Sequence, residues 1–169
     1  MHALPILQLP LSKTDAESTI IPSTPTLKML KKQKHILIVD DTVFHIFALK
    51  KMLNSIKITS VYEAYNGYQA VTIFQEKLSE IALILMDINM PKMNGFEAAI
   101  EINAIIKSKH IDIIPIVALS AQNDDSYLNT AVHSGICRYG ILFILVAKPL
   151  RLDVLKELLR DYGFINDYC

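Results

Sequence analysis

The sequence predicts an α/β fold: a parallel sheet with helices packed on both faces. Three observations predict it. Between residues 35 and 163, short apolar runs alternate five times with longer amphipathic stretches. The runs have the length of strands and close on charged or turn-forming residues, whereas the stretches repeat their apolar side chains at helical spacing. Half of the 169 residues are apolar (51%), enough to fill a core on both sides of one sheet.

The elements follow in order. "HILIVDD" (35–41) reads as a buried strand, and "TVFHIFALKKMLNS" (42–55) repeats apolar residues at Val43, Ile46, Phe47, Met52 and Leu53, a helical stripe. "KITSVYEA" (57–64) is a second strand. Asn66 and Gly67 introduce a helix with Ala70, Val71, Phe74 and Leu78 on one face. "IALILMD" (81–87) is the third strand. After a turn marked by Pro91 and Gly95 comes a helix carrying Phe96, Ala99, Ile100 and Ile106. "IIPIVALSA" (113–121) is the fourth strand, followed by a weaker helix from about 124 to 135, where Gly135 suits a C-cap. "ILFILVAKP" (141–149) is the fifth strand, and Leu152, Leu155, Leu158, Leu159 and Tyr162 form the last stripe before Gly163.

Residues 1–34 carry Pro, Ser and Thr without sustained periodicity and end in the basic cluster Lys28, Lys31, Lys32 and Lys34, so they read as a tail or linker, with the folded domain over 35–165. Pro5 and Pro10 interrupt the early apolar patch, which lacks the basic flank and cleavage site of a signal peptide. The apolar window 141–147 is far shorter than the ~20 residues a membrane span needs. A cytoplasmic protein with no membrane contact is expected. Lys plus Arg and Asp plus Glu both number 17, which supplies no basic field for direct nucleic-acid binding. Cys137 and Cys169 have no Cys or His at zinc spacing and fit free thiols in a reducing compartment.

In an open parallel sheet the ligand site lies beyond the carboxyl ends of the strands. There the sequence delivers Asp40 and Asp41 from the first strand, Asp87 from the third, Ser120 from the fourth and Lys148 from the fifth. Three carboxylates at one mouth repel each other unless a divalent cation with oxygen ligands neutralises them, which points to Mg²⁺. Asp is also a nucleophile able to accept a phosphoryl group, with an ammonium and a hydroxyl to hold the phosphoryl oxygens.

The ordered set "VDD" at 39–41, "MDINMPKMNG" at 86–95, "ALSA" at 118–121 and "KP" at 148–149 resembles the receiver domain of two-component response regulators and hybrid histidine kinases, over about residues 36–162. The resemblance implies a flavodoxin-like (βα)5 three-layer sandwich with strand order 2-1-3-4-5. It further implies that Asp87 is the phosphoacceptor, and that Asp40, Asp41, Asp87 and the backbone carbonyl of Asn89 hold Mg²⁺. By the same resemblance Ser120 and Lys148 contact the phosphoryl group, and the lysyl-prolyl bond is often cis. The implied partner is a histidine kinase or histidine phosphotransfer domain. The face made by the fourth helix and fifth strand is a candidate for switching and for homodimer contact. Asn89 and Gln122 stand where the family sets the access of water.

His45 lies among apolar residues of the first helix and reads as a packing or partner-facing residue rather than a ligand; Met86, Met90 and Met93 read as core and loop fillers. Residues 136–147 form a longer segment than receivers usually carry, and Leu145 stands where they often place an aromatic. Two rival functions follow. An aspartyl-phosphate phosphatase of the haloacid dehalogenase type uses similar groups, but it wants two aspartates separated by one residue on the first strand, whereas "VDDTV" has them adjacent. A degenerate receiver that only binds partners is the other.

Overall fold

A computed structural model describes residues 34–120 and 143–165. All but the last residue of the expected tail, the expected helix over 124–135, Gln122 and both cysteines lie outside the described residues. Within them the chain runs β1 (His35–Val39), α1 (Val43–Ser55), β2 (Val61–Ala64), α2 (Gly67–Glu76), β3 (Ile81–Asp87), α3 (Gly95–Lys109), β4 (Ile116–Ser120), β5 (Phe143–Ala147) and α4 (Leu152–Asp161).

The five strands form one sheet in the order β2-β1-β3-β4-β5, every neighbouring pair parallel. The expected flavodoxin-like order is therefore the observed one. Successive strand residues point to opposite faces, and the sequence uses both. Leu37, Val39, Ile84, Met86 and Ile116 pack with Phe74 of α2 and Ala99 and Ile102 of α3. The alternate residues Ile36, Ile38, Leu83, Leu85 and Val117 pack with Ile46 and Leu53 of α1 and Leu155 and Leu159 of α4. Each large side chain so buried contributes roughly 1.5–3 kcal/mol, and burial on both faces explains why the strands read as continuous apolar runs.

Local signals set the helix starts. The Asn66 side chain accepts from the Gln69 amide at 2.9 Å. Asn94 accepts from the Glu97 amide at 3.0 Å while the Glu97 carboxylate accepts from the Asn94 amide at 2.9 Å, a complete capping box. Gly95, the first residue of α3, lies against the end of β3: a Cβ there would stand 2.4 Å from the Asp87 carbonyl oxygen and 2.9 Å from the Ile88 Cα. Only glycine lets α3 start this close to the strand that ends in Asp87.

The α1 stripe departs from the reading above. Ile46, Leu49 and Leu53 are the buried residues of α1, and Val43 and Phe47 face solvent together with Phe44. Positions 46, 49 and 53 are spaced by three and four and fall on one seam, while Phe47 lies about 100° further round the helix. The amphipathic pattern of α1 was ambiguous because apolar residues occupy both faces. Among the described residues no helix is long and apolar enough to cross a membrane.

Candidate functional site

Strand register brings the polar residues level. Val39 pairs with Met86, so Asp40 and Asp87 follow each other's neighbours at the ends of adjacent strands. Asp87 pairs with Leu119, which puts Ser120 one step beyond it on the next strand. Ser120 in turn pairs with Ala147, and Lys148 comes next, its amide donating to the Ser120 carbonyl at 2.6 Å. The Lys148–Pro149 peptide bond is cis, as the resemblance implies.

From the far side of β4, the four-carbon stem of Lys148 carries its ammonium to both buried carboxylates. Nζ lies 2.8 Å from Asp40 Oδ2 and 3.0 Å from Asp87 Oδ1. Asp40 is fully buried and Asp87 nearly so, at 5% exposure. The Thr42 amide donates to Asp40 Oδ1 at 2.9 Å, and the Asn89 amide reaches Asp87 Oδ1 at 3.3 Å. Asp41 is exposed on the rim, and one carboxylate oxygen from each of Asp40, Asp41 and Asp87 lies within 4.8 Å of the others. Ser120 is buried at the end of β4.

The structure thus brings Asp40, Asp41, Asp87 and Lys148 together, with Asn89 in the loop directly after Asp87 and Ser120 at the adjoining strand end. It adds one residue that the sequence places among packing or partner-facing side chains rather than at the site. His45, from the first turn of α1, hydrogen-bonds through Nδ1 to both oxygens of Asp40, at 3.0 and 3.1 Å. His45 and Lys148 also border a cavity of about 360 Å³ between α1 and the segment after β5, with Leu49, Met52 and Leu150 on its apolar wall. The i+5 spacing from Asp40 was the available signal, since one helical turn after a strand end returns a side chain to the same mouth.

One ammonium against two buried carboxylates, with a third on the rim, leaves the mouth net negative. Burial pushes the Asp87 carboxyl above its ordinary value of 3.8; the Lys148 ammonium pulls it back down, the Asp40 charge pushes it up, and the Asn89 amide lowers it. The donors are hard oxygens gathered within one ion's reach, so the set fits a hard divalent cation. Chemically, the mouth offers a carboxylate nucleophile at Asp87 beside a fixed positive charge.

The sequence profile of the response regulator receiver domain matches residues 36–160. Among curated proteins, the autoinducer 1 sensor kinase/phosphatase LuxN of Vibrio campbellii is 34% identical over 138 residues, 82% of this chain and 14% of LuxN. A chemotaxis protein CheY homolog of Campylobacter jejuni is 29% identical over 126 residues, 75% of this chain and 89% of the homolog. The chain therefore spans only a small part of the LuxN relatives and most of the CheY homolog. Among solved structures, the Saccharomyces cerevisiae co-crystal of the histidine phosphotransfer signaling protein Ypd1 with the receiver domain of the response regulator Ssk1 matches with a TM-score of 0.65. The identity there is 30%, covering 81% of this chain and 95% of the matched chain.

The raised Asp87 pKa carries a stability consequence. The native state holds that proton more tightly than the unfolded chain, so stability falls as pH rises from 3.8 through the native pKa. In metal-free buffer, Asp87→Asn removes this loss and is expected to be more stable than the parent at pH 7, with the gain shrinking as pH falls toward 3.8. Urea unfolding across pH reads it; an Asp87→Asn variant less stable at pH 7 contradicts the electrostatics described here.

Proposed function

This chain is a member of the response regulator receiver domain family of two-component systems, and from that premise we propose that it accepts a phosphoryl group from a partner's phosphohistidine onto Asp87. The observation that carries the reading is the shared ammonium, Lys148 Nζ within hydrogen-bond distance of both buried carboxylates. Such a charge, held beside the acceptor oxygens before any phosphate arrives, stabilises the negative charge that accumulates during transfer without reorganising at that moment.

In the proposed reaction the P–N bond of the donor's phosphohistidine breaks as a P–O bond forms to the Asp87 carboxylate, and the freed imidazole takes a proton from solvent. Lys148 keeps its ammonium against the new phosphoryl oxygens, and the Ser120 hydroxyl, one strand over, is the short donor assigned to them. A Mg²⁺ ion held by Asp41, Asp87, Asp40 and the Asn89 carbonyl would supply further positive charge toward the phosphoryl group. Water later attacks phosphorus, the P–O bond to Asp87 breaks, and the carboxylate and inorganic phosphate are restored. Asn89, two residues beyond Asp87, borders that water's approach.

The donor proposed is a histidine kinase or histidine phosphotransfer protein, the second being the class of Ypd1 seen with Ssk1, and a cytoplasmic location accords with it. Its seat is the exposed apolar group on α1. Val43, Phe44 and Phe47 are 64%, 82% and 57% exposed, and α1 starts directly beyond the Asp40 and Asp41 end of β1. An apolar cluster bordering the mouth suits a partner helix that must bring its histidine to Asp87. A homodimer contact through the fourth-helix and fifth-strand face turns on residues 124–135, outside the described ones, and the degenerate-receiver alternative turns on segment 136–147, of which 143–147 is described, as β5. The phosphatase alternative needs its nucleophile on β1, where the buried Asp40 is already engaged by Thr42, His45 and Lys148.

With acetyl phosphate and Mg²⁺, the protein is expected to gain one phosphoryl mass by intact-mass measurement. Asp87→Asn should gain none, and chelation of Mg²⁺ should suppress the gain. Labelling of Asp87→Asn to the parent's extent overturns the assignment. Phe44→Ser is expected to slow transfer from a phosphohistidine donor about tenfold, as loss of an aromatic contact anchor does, while leaving labelling by acetyl phosphate unchanged; equal slowing with both donors removes the docking role.

A further inference from the structure

The Asp40 carboxylate is saturated. Oδ1 accepts from the Thr42 amide at 2.9 Å, Oδ2 accepts from Lys148 at 2.8 Å, and His45 Nδ1 lies astride both oxygens at 3.0 and 3.1 Å. A carboxylate only accepts, so Nδ1 carries the proton of that bond. Two carboxylate oxygens offer about four lone-pair directions, and the three donors make four contacts with them. A cation that uses Asp40 must displace one of the three.

The three donors are unequally replaceable. The Thr42 amide is fixed by the backbone where β1 passes into α1. Lys148 also serves Asp87 at 3.0 Å and is only 16% exposed. The His45 side chain is 52% exposed and borders the 360 Å³ cavity, into which the ring can turn without repacking the core. Its α1 neighbours Phe44 and Phe47 face solvent, so no packed wall holds the ring in place from that side.

We infer that His45 is a latch on the metal site: its imidazole N–H competes with the divalent cation for Asp40, lowering the affinity for Mg²⁺, and it is released into the cavity when the ion binds. The inference rests on the reading of Asp40, Asp41 and Asp87 as an Mg²⁺ site and adds a regulatory element to it. His45 is a positioning residue, acting through Asp40. Without the ion, Asp40 stays held between His45 and Lys148; with it, the ring swings clear and the rim of α1 that carries Phe44 changes shape at the same moment. Ion loading and the partner-facing surface are thereby coupled through one side chain.

The test is a Mg²⁺ titration at one fixed pH of the full chain and of His45→Ala and His45→Asn, followed by calorimetry and by the His45 ring resonances in the parent. His45→Ala is expected to bind Mg²⁺ roughly three- to tenfold more tightly, the effect of removing one competing hydrogen bond of ordinary net strength. The amide nitrogen of His45→Asn stands about where Nδ1 does and should return the affinity toward that of the parent. In the parent the ring resonances should shift on saturation. A role confined to supporting the fold would not tighten binding. Unchanged or weaker binding by His45→Ala, or ring resonances that ignore the ion, overturns the latch while leaving the metal site standing. A parent that binds no Mg²⁺ removes both the latch and the site it rests on.

Discussion

Two carboxylates buried at the ends of neighbouring strands share one ammonium, and the rest of the site is arranged around that shortage of positive charge. Asp40 and Asp87 emerge level because β1 and β3 pair in parallel with Val39 beside Met86. Lys148 follows β5, two places from β3 and three from β1, and of the two cationic side chains long enough to cross β4, only lysine delivers a compact charge that can sit between two oxygens. One positive charge against two buried negative ones, with Asp41 on the rim, leaves an excess that burial amplifies. The same excess makes the mouth receptive to a cation, and the Lys148 ammonium, which pulls the Asp87 pKa down, favours the nucleophilic carboxylate form.

The fold serves this arrangement by bringing backbones close at the active end. Met93 lies where a Cβ on Gly67 would be, with its carbonyl oxygen at 2.7 Å from that point, and Gly95 abuts the Asp87 carbonyl. The loop carrying Asn89 is thus gripped between the starts of α2 and α3. Below it, both faces of β3 are packed, by α2 and α3 on one side and α1 and α4 on the other. Asp87 therefore stands at the end of a strand packed on both faces, while the exposed apolar residues Val43, Phe44 and Phe47 lie in the first turns of α1.

Most of this was legible in the sequence because parallel strands advertise themselves. "IALILMD" spans the residues of β3, and the polar residues closing four of the apolar runs are the ones that meet at the mouth. The ends of β1 and β2 were read too long, since Asp40 already turns to bond the Thr42 amide and Lys57 takes a left-handed conformation (φ 63°) before β2 begins. The α1 stripe misled because Val43 and Phe47 are apolar yet exposed, which periodicity does not distinguish from core packing. His45 reads as a packing or partner-facing residue for a related reason. Its contact is with Asp40 five residues earlier, across a strand end and a helix start, and that spacing acquires meaning only once the start of α1 is placed.

If excess negative charge at the strand ends governs the site, a small divalent cation should stabilise the fold itself. The most direct measurement is the thermal unfolding midpoint of the unmodified chain against Mg²⁺ concentration. The account predicts a midpoint that climbs steadily once Mg²⁺ exceeds its dissociation constant, by several degrees at a hundredfold excess, where selective binding to the native state adds about 2.7 kcal/mol. A midpoint that stays level across the same range contradicts it.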